Sequence, residues 1–204
     1  MTKKVETVLQ QLKQNGFEAV YFEKADQAKT YLLKEAASEQ SVGFGGSWTL
    51  KEMGLFEALK EQGNKAYWHW QPEEGETSAS TLLKDMNTDL YMCGINALTL
   101  DGRIINIDGT GNRLSSMLFG HKHLYLVAGI NKIAGNLQEG MIRIKNEACP
   151  KNARRLGLET PCAITGKCEN CSSPQRMCNA TLILDRQPGG IPTTVVLIGE
   201  ALGF

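Results

Sequence analysis

The sequence lacks several features that assign a chain to a class at sight. It has no run of about 20 apolar residues, so no segment can span a bilayer as a helix. It has no excess of either charge, since 22 Lys and Arg balance 22 Asp and Glu. A neutral chain has no overall field to gather nucleic acid or an anionic membrane surface, and neither is expected as a partner. The opening stretch, Met1-Thr-Lys-Lys-Val-Glu-Thr7, leads into no apolar core, so no export signal is read and a cytoplasmic location is expected. There is no internal repeat, no low-complexity tract and no linker composition to divide the chain. Neither the Walker-A pattern nor the dinucleotide fingerprint occurs. No set of nucleophile, base and orienting group stands out either.

What is present is the pattern of an α/β protein. Val5, Val8, Leu9 and Leu12 recur at helical spacing over 2–15, and Glu18 to Phe22 reads as a strand. A helix over Ala25–Ala36, a strand at Ser41–Phe44, a helix from Trp48 to Glu61 broken near Gly54 and a strand at Lys65–Trp68 follow. After a loop to Thr77 come a helix over 78–86 and a strand at Asp89–Cys93. Ala97–Leu100 and Arg103–Ile107 flank Asp101-Gly102, a strong hairpin signal. A helix over Asn112–Phe119 and a buried strand at His123–Ala128 come next. Ile133, Leu137, Met141, Ile144 and Ala148 trace one long helix face, and Thr181–Asp185 and Thr193–Ile198 are two final strands around a Pro-Gly-Gly turn. Strands alternating with helices predict a Rossmann-like, mostly parallel three-layer sheet, and the hairpins predict a smaller antiparallel β addition. Its 204 residues, 42% of them hydrophobic, suit one domain with a sizeable core.

Four cysteines, Cys162, Cys168, Cys171 and Cys178, crowd into a segment with few large apolar residues. Such a segment cannot hold itself by hydrophobic packing, and thiolates on a metal are one way to hold it. The spacing C-x5-C-x2-C-x6-C copies neither a standard ferredoxin run nor a zinc ribbon. Iron–sulfur, zinc and a metal-free thiol loop therefore all stay open. Cys149, before Pro150, could replace one ligand, whereas Cys93 ends an apolar strand and reads as core.

Two glycine-bearing loops sit where strands give way to helices, the place where open α/β sheets bind ligands. In the first, Gly45, Gly46, Ser47 and Thr49 combine close backbone approach with hydroxyl donors. Its alternative reading is a tight turn with Ser47 or Thr49 as N-cap. In the second, Asn106, Asp108, Gly109, Thr110, Gly111, Asn112 and Arg113 could hold a phosphate or carboxylate with Arg113 as bidentate partner. The alternative there is a capped turn with Arg113 in an ion pair. Lys132, just past the buried strand at 123–128, is a third candidate for an anion. Among the three histidines, His121 and His123 read as turn or core contacts. His69, between Trp68 and Trp70, belongs to an aromatic cluster unless it faces the glycine loops.

Four blocks, Val42-Gly-Phe-Gly-Gly-Ser-Trp-Thr-Leu50, Asn106-Ile-Asp-Gly-Thr-Gly-Asn-Arg113, Val127-Ala-Gly-Ile-Asn-Lys132 and Cys168-Glu-Asn-Cys-Ser-Ser-Pro-Gln-Arg-Met-Cys178, occur in an order that resembles the lactate-utilization (LUD) domain family. The likeness is to its stand-alone, cysteine-containing branch and spans nearly the whole chain. It implies a fold similar to the NagB/RpiA/CoA-transferase superfamily over 1–204, with the cysteine-rich loop at 162–178 inserted. It also implies a role in lactate or related organic-acid metabolism, a 4Fe–4S cluster on the four cysteines with zinc or no metal as alternatives, and iron–sulfur oxidoreductase partner proteins. Relatives in the superfamily bind phosphorylated, CoA-linked or folate-like molecules, so a small anionic metabolite is expected at the glycine loops. No residue maps onto a CoA-transferase glutamate nucleophile, which argues against CoA transfer. A third expectation is a non-catalytic partner subunit that docks through the Trp68-His69-Trp70 patch.

Overall fold

The computed structural model describes residues 1–36 and 40–204. Its elements, in chain order, are α1 (Lys3–Gln14), β1 (Glu18–Phe22), α2 (Ala25–Glu35), β2 (Ser41–Phe44), α3 (Trp48–Glu52), α4 (Leu55–Gln62), β3 (Lys65–Trp68), α5 (Ser78–Asp85), β4 (Leu90–Gly94), β5 (Ala97–Thr99), β6 (Ile104–Asp108), α6 (Asn112–Ser116), β7 (His123–Gly129), β8 (Ile133–Ala134), α7 (Leu137–Arg143), α8 (Cys149–Arg155), α9 (Pro161–Thr165), β9 (Ala180–Leu184) and β10 (Thr193–Ile198). Six strands form a fully parallel sheet in the order β1-β10-β7-β4-β2-β3. Four more form a mixed sheet in the order β8-β5-β6-β9. Among the described residues no helix is long and apolar enough to cross a membrane.

The layering follows from which faces are apolar. Ala28 and Leu32 of α2, with Leu50, Leu55, Phe56 and Leu59 of α3 and α4, cover one face of the parallel sheet through Val42, Phe44, Met92 and Val127. The other face, through Tyr91, Cys93, Leu126 and Leu197, packs on α1 and on one side of the small sheet, at Leu98, Ile104 and Leu184. The far side of the small sheet, at Ala97, Ile105 and Ile107, is closed by Ile144, Ala148 and Cys149. A strand covered on both faces has no polar face to show, and β10 lies buried along its whole length in the sheet interior, its apolar run Val195–Ile198 following the buried Thr193 and Thr194.

Three expectations are corrected. First, β9 and β10 are not partners: β9 joins β6 antiparallel, while β10 runs between β1 and β7 in the parallel sheet. A Pro-Gly-Gly stretch can turn a hairpin, but burial of β10 on both faces decides otherwise. Second, Ile133 and Ala134 begin no helix. They form β8, parallel to β5, so the β addition is mixed rather than purely antiparallel. The helix starts after Asn136, whose side chain accepts from Glu139 N at 2.9 Å as an N-cap. Third, the helix is not regular. α7 passes through a π turn at Ile144–Ala148 into α8, whose second residue is Pro150. Proline has no N–H for the carbonyl one turn back, and the widened turn accommodates that gap. The Asp-Gly hairpin forms as expected, with Leu98 opposite Ile104, and Gly54 breaks α3 from α4 at φ +58°.

Gly43 lies where β2 passes closest to the end of α5. A Cβ there would overlap the Asp85 carbonyl oxygen and stand 2.6 Å from Thr88 Oγ1. Backbone cannot give way cheaply, so Gly43→Ala is expected to destabilise the protein by about 3 kcal/mol in urea unfolding. A loss under ~1 kcal/mol would mean that β2 and α5 can move apart.

Candidate functional site

A cleft of about 360 Å³ opens at the carboxyl ends of β2, β3, β4 and β6. Its walls bring together segments that are far apart in sequence: Gly46, Ser47 and Trp48; His69 and Trp70; Asp108 to Thr110 with Asn112 and Arg113; Lys132; Cys149, Asn152 and Arg155; and Phe204. This is where parallel sheets place ligands, because strands end there and loops begin.

The first loop needs its glycines for proximity. A Cβ on Gly45 would stand 2.7 Å from Cys93 Cβ and 2.8 Å from Arg113 Cγ, so this glycine lets the two loops touch. Ser47 caps α3, accepting from Leu50 N at 3.3 Å. Its hydroxyl therefore has the structural role as well as a place on the cleft wall. Thr49 is buried beneath that wall and accepts from Lys132 Nζ at 2.9 Å.

In the second loop Asp108 is the organiser. Its carboxylate accepts from Thr110 N at 3.2 Å, from Arg113 N at 3.1 Å and from Arg113 Nε at 3.2 Å. Arg113 also donates to the Ile107 carbonyl. Much of the Arg113 guanidinium is therefore already spent on its own loop. Asn106 stays out of the cleft. It accepts from Asn96 N at 2.6 Å and donates to the Gly94 carbonyl at 3.0 Å, locking β6 to the end of β4. Gly45, Thr49 and Gly111 likewise do not line the cleft. Asn112 does, and its Nδ2 is buried with no hydrogen-bond acceptor among the described residues.

Lys132 is only 4% exposed, and no carboxylate stands within ion-pair distance among the described residues. Burial, then the neighbouring Arg143 and Arg113 charges, push its ammonium down to about 7.

Sequence reasoning missed Arg155. Its guanidinium lies 4.3 Å from the Trp70 ring centre and 5.9 Å from that of Trp48, and its Nε donates to Asn152 Oδ1 at 2.9 Å. Among the described residues it has no acidic partner within ion-pair distance. Two indoles and an amide hold it in place, leaving its terminal nitrogens for something else. Trp48 in turn stacks on Phe204 at 5.7 Å. In the Trp68-His69-Trp70 stretch, Trp68 is buried while His69 and Trp70 are half-buried on the cleft wall. Trp68 is buried against Phe44 and Phe56, and Trp70 stacks on it at 4.9 Å from the cleft side. His69 does face the glycine-loop cleft. His121 and His123 are packing residues, stacked on Tyr91 and Tyr125.

The chain matches the family model described as LUD domain over residues 5–198. The chain belongs to the LUD domain family. A crystal structure of a DUF162 family protein from Deinococcus radiodurans is similar in fold, with a TM-score of 0.55 and 13% identity over 97% of each chain. Among curated proteins none matches. The family and the fold are those expected from the four sequence blocks.

The cysteine segment of this LUD domain protein reaches the cleft at Met177, and Cys149 of α8 lines the cleft as well. All six cysteines are free thiols. The buried Cys149 thiol is pushed up to about 12 by burial, and the nearby Cys178, Cys162 and Cys168 raise it further. Among the described residues, however, no three His, Cys, Asp or Glu side chains are arranged to hold one metal ion. As placed, the thiols do not form a metal cage. Burial pushes the Cys93 thiol up to about 12 too, which fits the core role read for it.

Proposed function

We propose that this LUD domain protein binds a small organic-acid anion in the cleft and serves organic-acid metabolism of the lactate-utilization kind. One observation carries the reading. Two guanidinium groups, Arg113 and Arg155, and the buried Lys132 amine line a cleft whose one side-chain carboxylate among the described residues, Asp108, is already bound to Arg113. A partly buried excess of positive charge is unfavourable until an anion enters, so the cleft is poised for one. The unpaired Asn112 amide adds a neutral donor. Arg155 is the natural clamp for a carboxylate, because a planar guanidinium pairs with it through two parallel N–H bonds.

The test is a thermal-shift and calorimetric screen of lactate, pyruvate, inorganic phosphate, sugar phosphates and CoA esters. Carboxylates are expected to bind best. Arg155→Ala should weaken them roughly tenfold to a hundredfold, the worth of one charged hydrogen-bond pair, with the fold intact. Arg113→Ala should instead lower stability, since it removes the guanidinium that pairs with the buried Asp108 carboxylate and leaves that group only its two backbone donors. A screen with no binder would remove this reading, and unaltered affinity in Arg155→Ala would remove Arg155 from it.

The electrostatic influence of Cys178, Cys162 and Cys168 on Cys149, which lines the cleft, supports a second reading. In it the segment 162–178 is an iron–sulfur or zinc site that couples the cleft to an oxidoreductase partner. It requires the thiols to draw closer than they stand. Iron, acid-labile sulfide and zinc analysis of anaerobically purified protein decides it, and protein free of all three would end it.

A further inference from the structure

We propose that His69 and Asp85 form an acid–base dyad on the wall of the cleft, in which His69 exchanges a proton with the bound organic acid and Asp85 orients the imidazole from behind. The proposal rests on the anion-binding reading of the cleft. Asp85 closes α5 and is 0% exposed. Neither of its carboxyl oxygens has a hydrogen-bond donor among the described residues. His69 Nδ1 is also buried without a partner, and it stands 3.9 Å from Asp85 Oδ2. A small rotation of the ring would close that gap to a hydrogen bond. Two orphaned buried groups that face each other are costly in a structural core, where such groups are nearly always satisfied. At a ligand site the arrangement has a use.

With Nδ1 turned to Asp85, Nε2 is the nitrogen left for the cleft that His69 lines. The charged groups around the ring are Asp85 behind it, Asp108 and Arg113 from the loop after β6, and Arg155 from α8, which lies over the adjoining Trp70. The Phe44 carbonyl also stands against the ring. Burial holds the imidazole below its usual range, so near neutral pH it is uncharged and can accept a proton. Asp85 lies in the right place to compensate the imidazolium that results.

The step this geometry suits is removal of a proton from the carbon next to the carbonyl of a 2-oxo acid. The C–H electron pair moves into the enolate, and the proton rests on Nε2. The enolate oxygen is stabilised by the cations of the cleft, and the reverse step returns a proton from the ring. Nothing is oxidised and no co-reactant is consumed. His69 is the catalytic residue in this step, and Asp85 is a positioning residue.

Pyruvate in D2O is the probe. Proton NMR follows the loss of its methyl signal, and thermal shift follows its binding. Wild-type protein is expected to bind pyruvate and to exchange its methyl protons. His69→Gln should bind it equally and exchange roughly a hundredfold slower. Asp85→Asn should keep binding and slow exchange about tenfold. It should also disturb the ¹⁵N pattern of the His69 ring, which a merely structural carboxylate would leave alone. The dyad is overturned if wild-type protein binds pyruvate but exchanges it no faster than buffer, or if His69→Gln exchanges like wild type. If no organic acid binds the wild type, the anion reading falls and the dyad with it.

Discussion

Lys132→Met is expected to raise the melting temperature and to remove anion binding. The ammonium sits in a place that burial and two arginines make unfavourable for charge, and it donates to the Thr49 hydroxyl. Methionine fills similar volume without charge. Replacing an uncompensated buried ion by an apolar group commonly stabilises by ~1–4 kcal/mol, which is several degrees for a chain of this length. The pH dependence identifies the cause. Folding moves this amine from 10.5 to about 7. Between those limits the unfolded chain holds the proton and the folded one releases it, so wild-type stability rises with pH across that window. The variant should lose that rise and match wild type most closely near pH 10. Anion affinity should fall by roughly a hundredfold or more, because a desolvated anion would lose a buried cation. Calorimetric unfolding at pH 7 and 10, with a lactate titration, checks both parts. A variant less stable than wild type at both values would show that Lys132 is balanced by charge elsewhere.

Some of this site could be read in the sequence and some could not, for physical reasons. The glycine loops were legible because their chemistry is local: a strand, then small residues, then a cap. The same locality misled at Arg113. Its nearness to Asp108 in sequence is what lets Asp108 occupy it, so the arginine with the clearest motif is the one least available. Arg155 was illegible because its direction depends on helix phase. The π turn at Ile144–Ala148 adds a residue to the turn and rotates α8 by about 100°. That rotation brings Arg155 over Trp70, while Arg154 turns away to the Ala163 carbonyl. No periodicity count placed a π turn there. His69 and Phe204 reach the cleft only through the fold, from the end of β3 and from the far terminus. Strand order was the remaining gap. Alternating β and α elements gave a parallel sheet, but β10 enters between β1 and β7 because its apolar Val195–Ile198 run needs cover on both faces.

The cleft and the wall behind it thus gather groups that oppose folding. Among the described residues, Lys132 in the cleft is a buried amine without an acid, Asn112 beside it a buried amide donor without an acceptor, and Asp85, behind His69, a buried carboxyl without a donor. Proteins keep such groups mainly where a ligand or a reaction uses them, and stabilising changes at those positions tend to cost function.

Asp85→Asn is the sharpest test of that view, because its effect on stability should change with pH in a fixed direction. Burial pushes the Asp85 carboxyl up from 3.8 to about 7. Between those values the folded protein holds a proton that the unfolded chain has released, so this group's favourable contribution is whole below pH 4 and is lost by about pH 7. Above that the ionised carboxylate costs folding roughly 4 kcal/mol, at about 1.4 kcal/mol for each tenfold change. Asparagine is close to the protonated acid in size and is never charged. The variant should therefore match wild type in urea unfolding near pH 4.5 and exceed it by up to about 4 kcal/mol at pH 8. Equal stability at pH 8 would mean that the carboxylate is ionised without penalty, with His69 close enough to carry the compensating charge. A gain at pH 8 together with slower proton exchange on pyruvate would show one side chain opposing the fold and serving the chemistry.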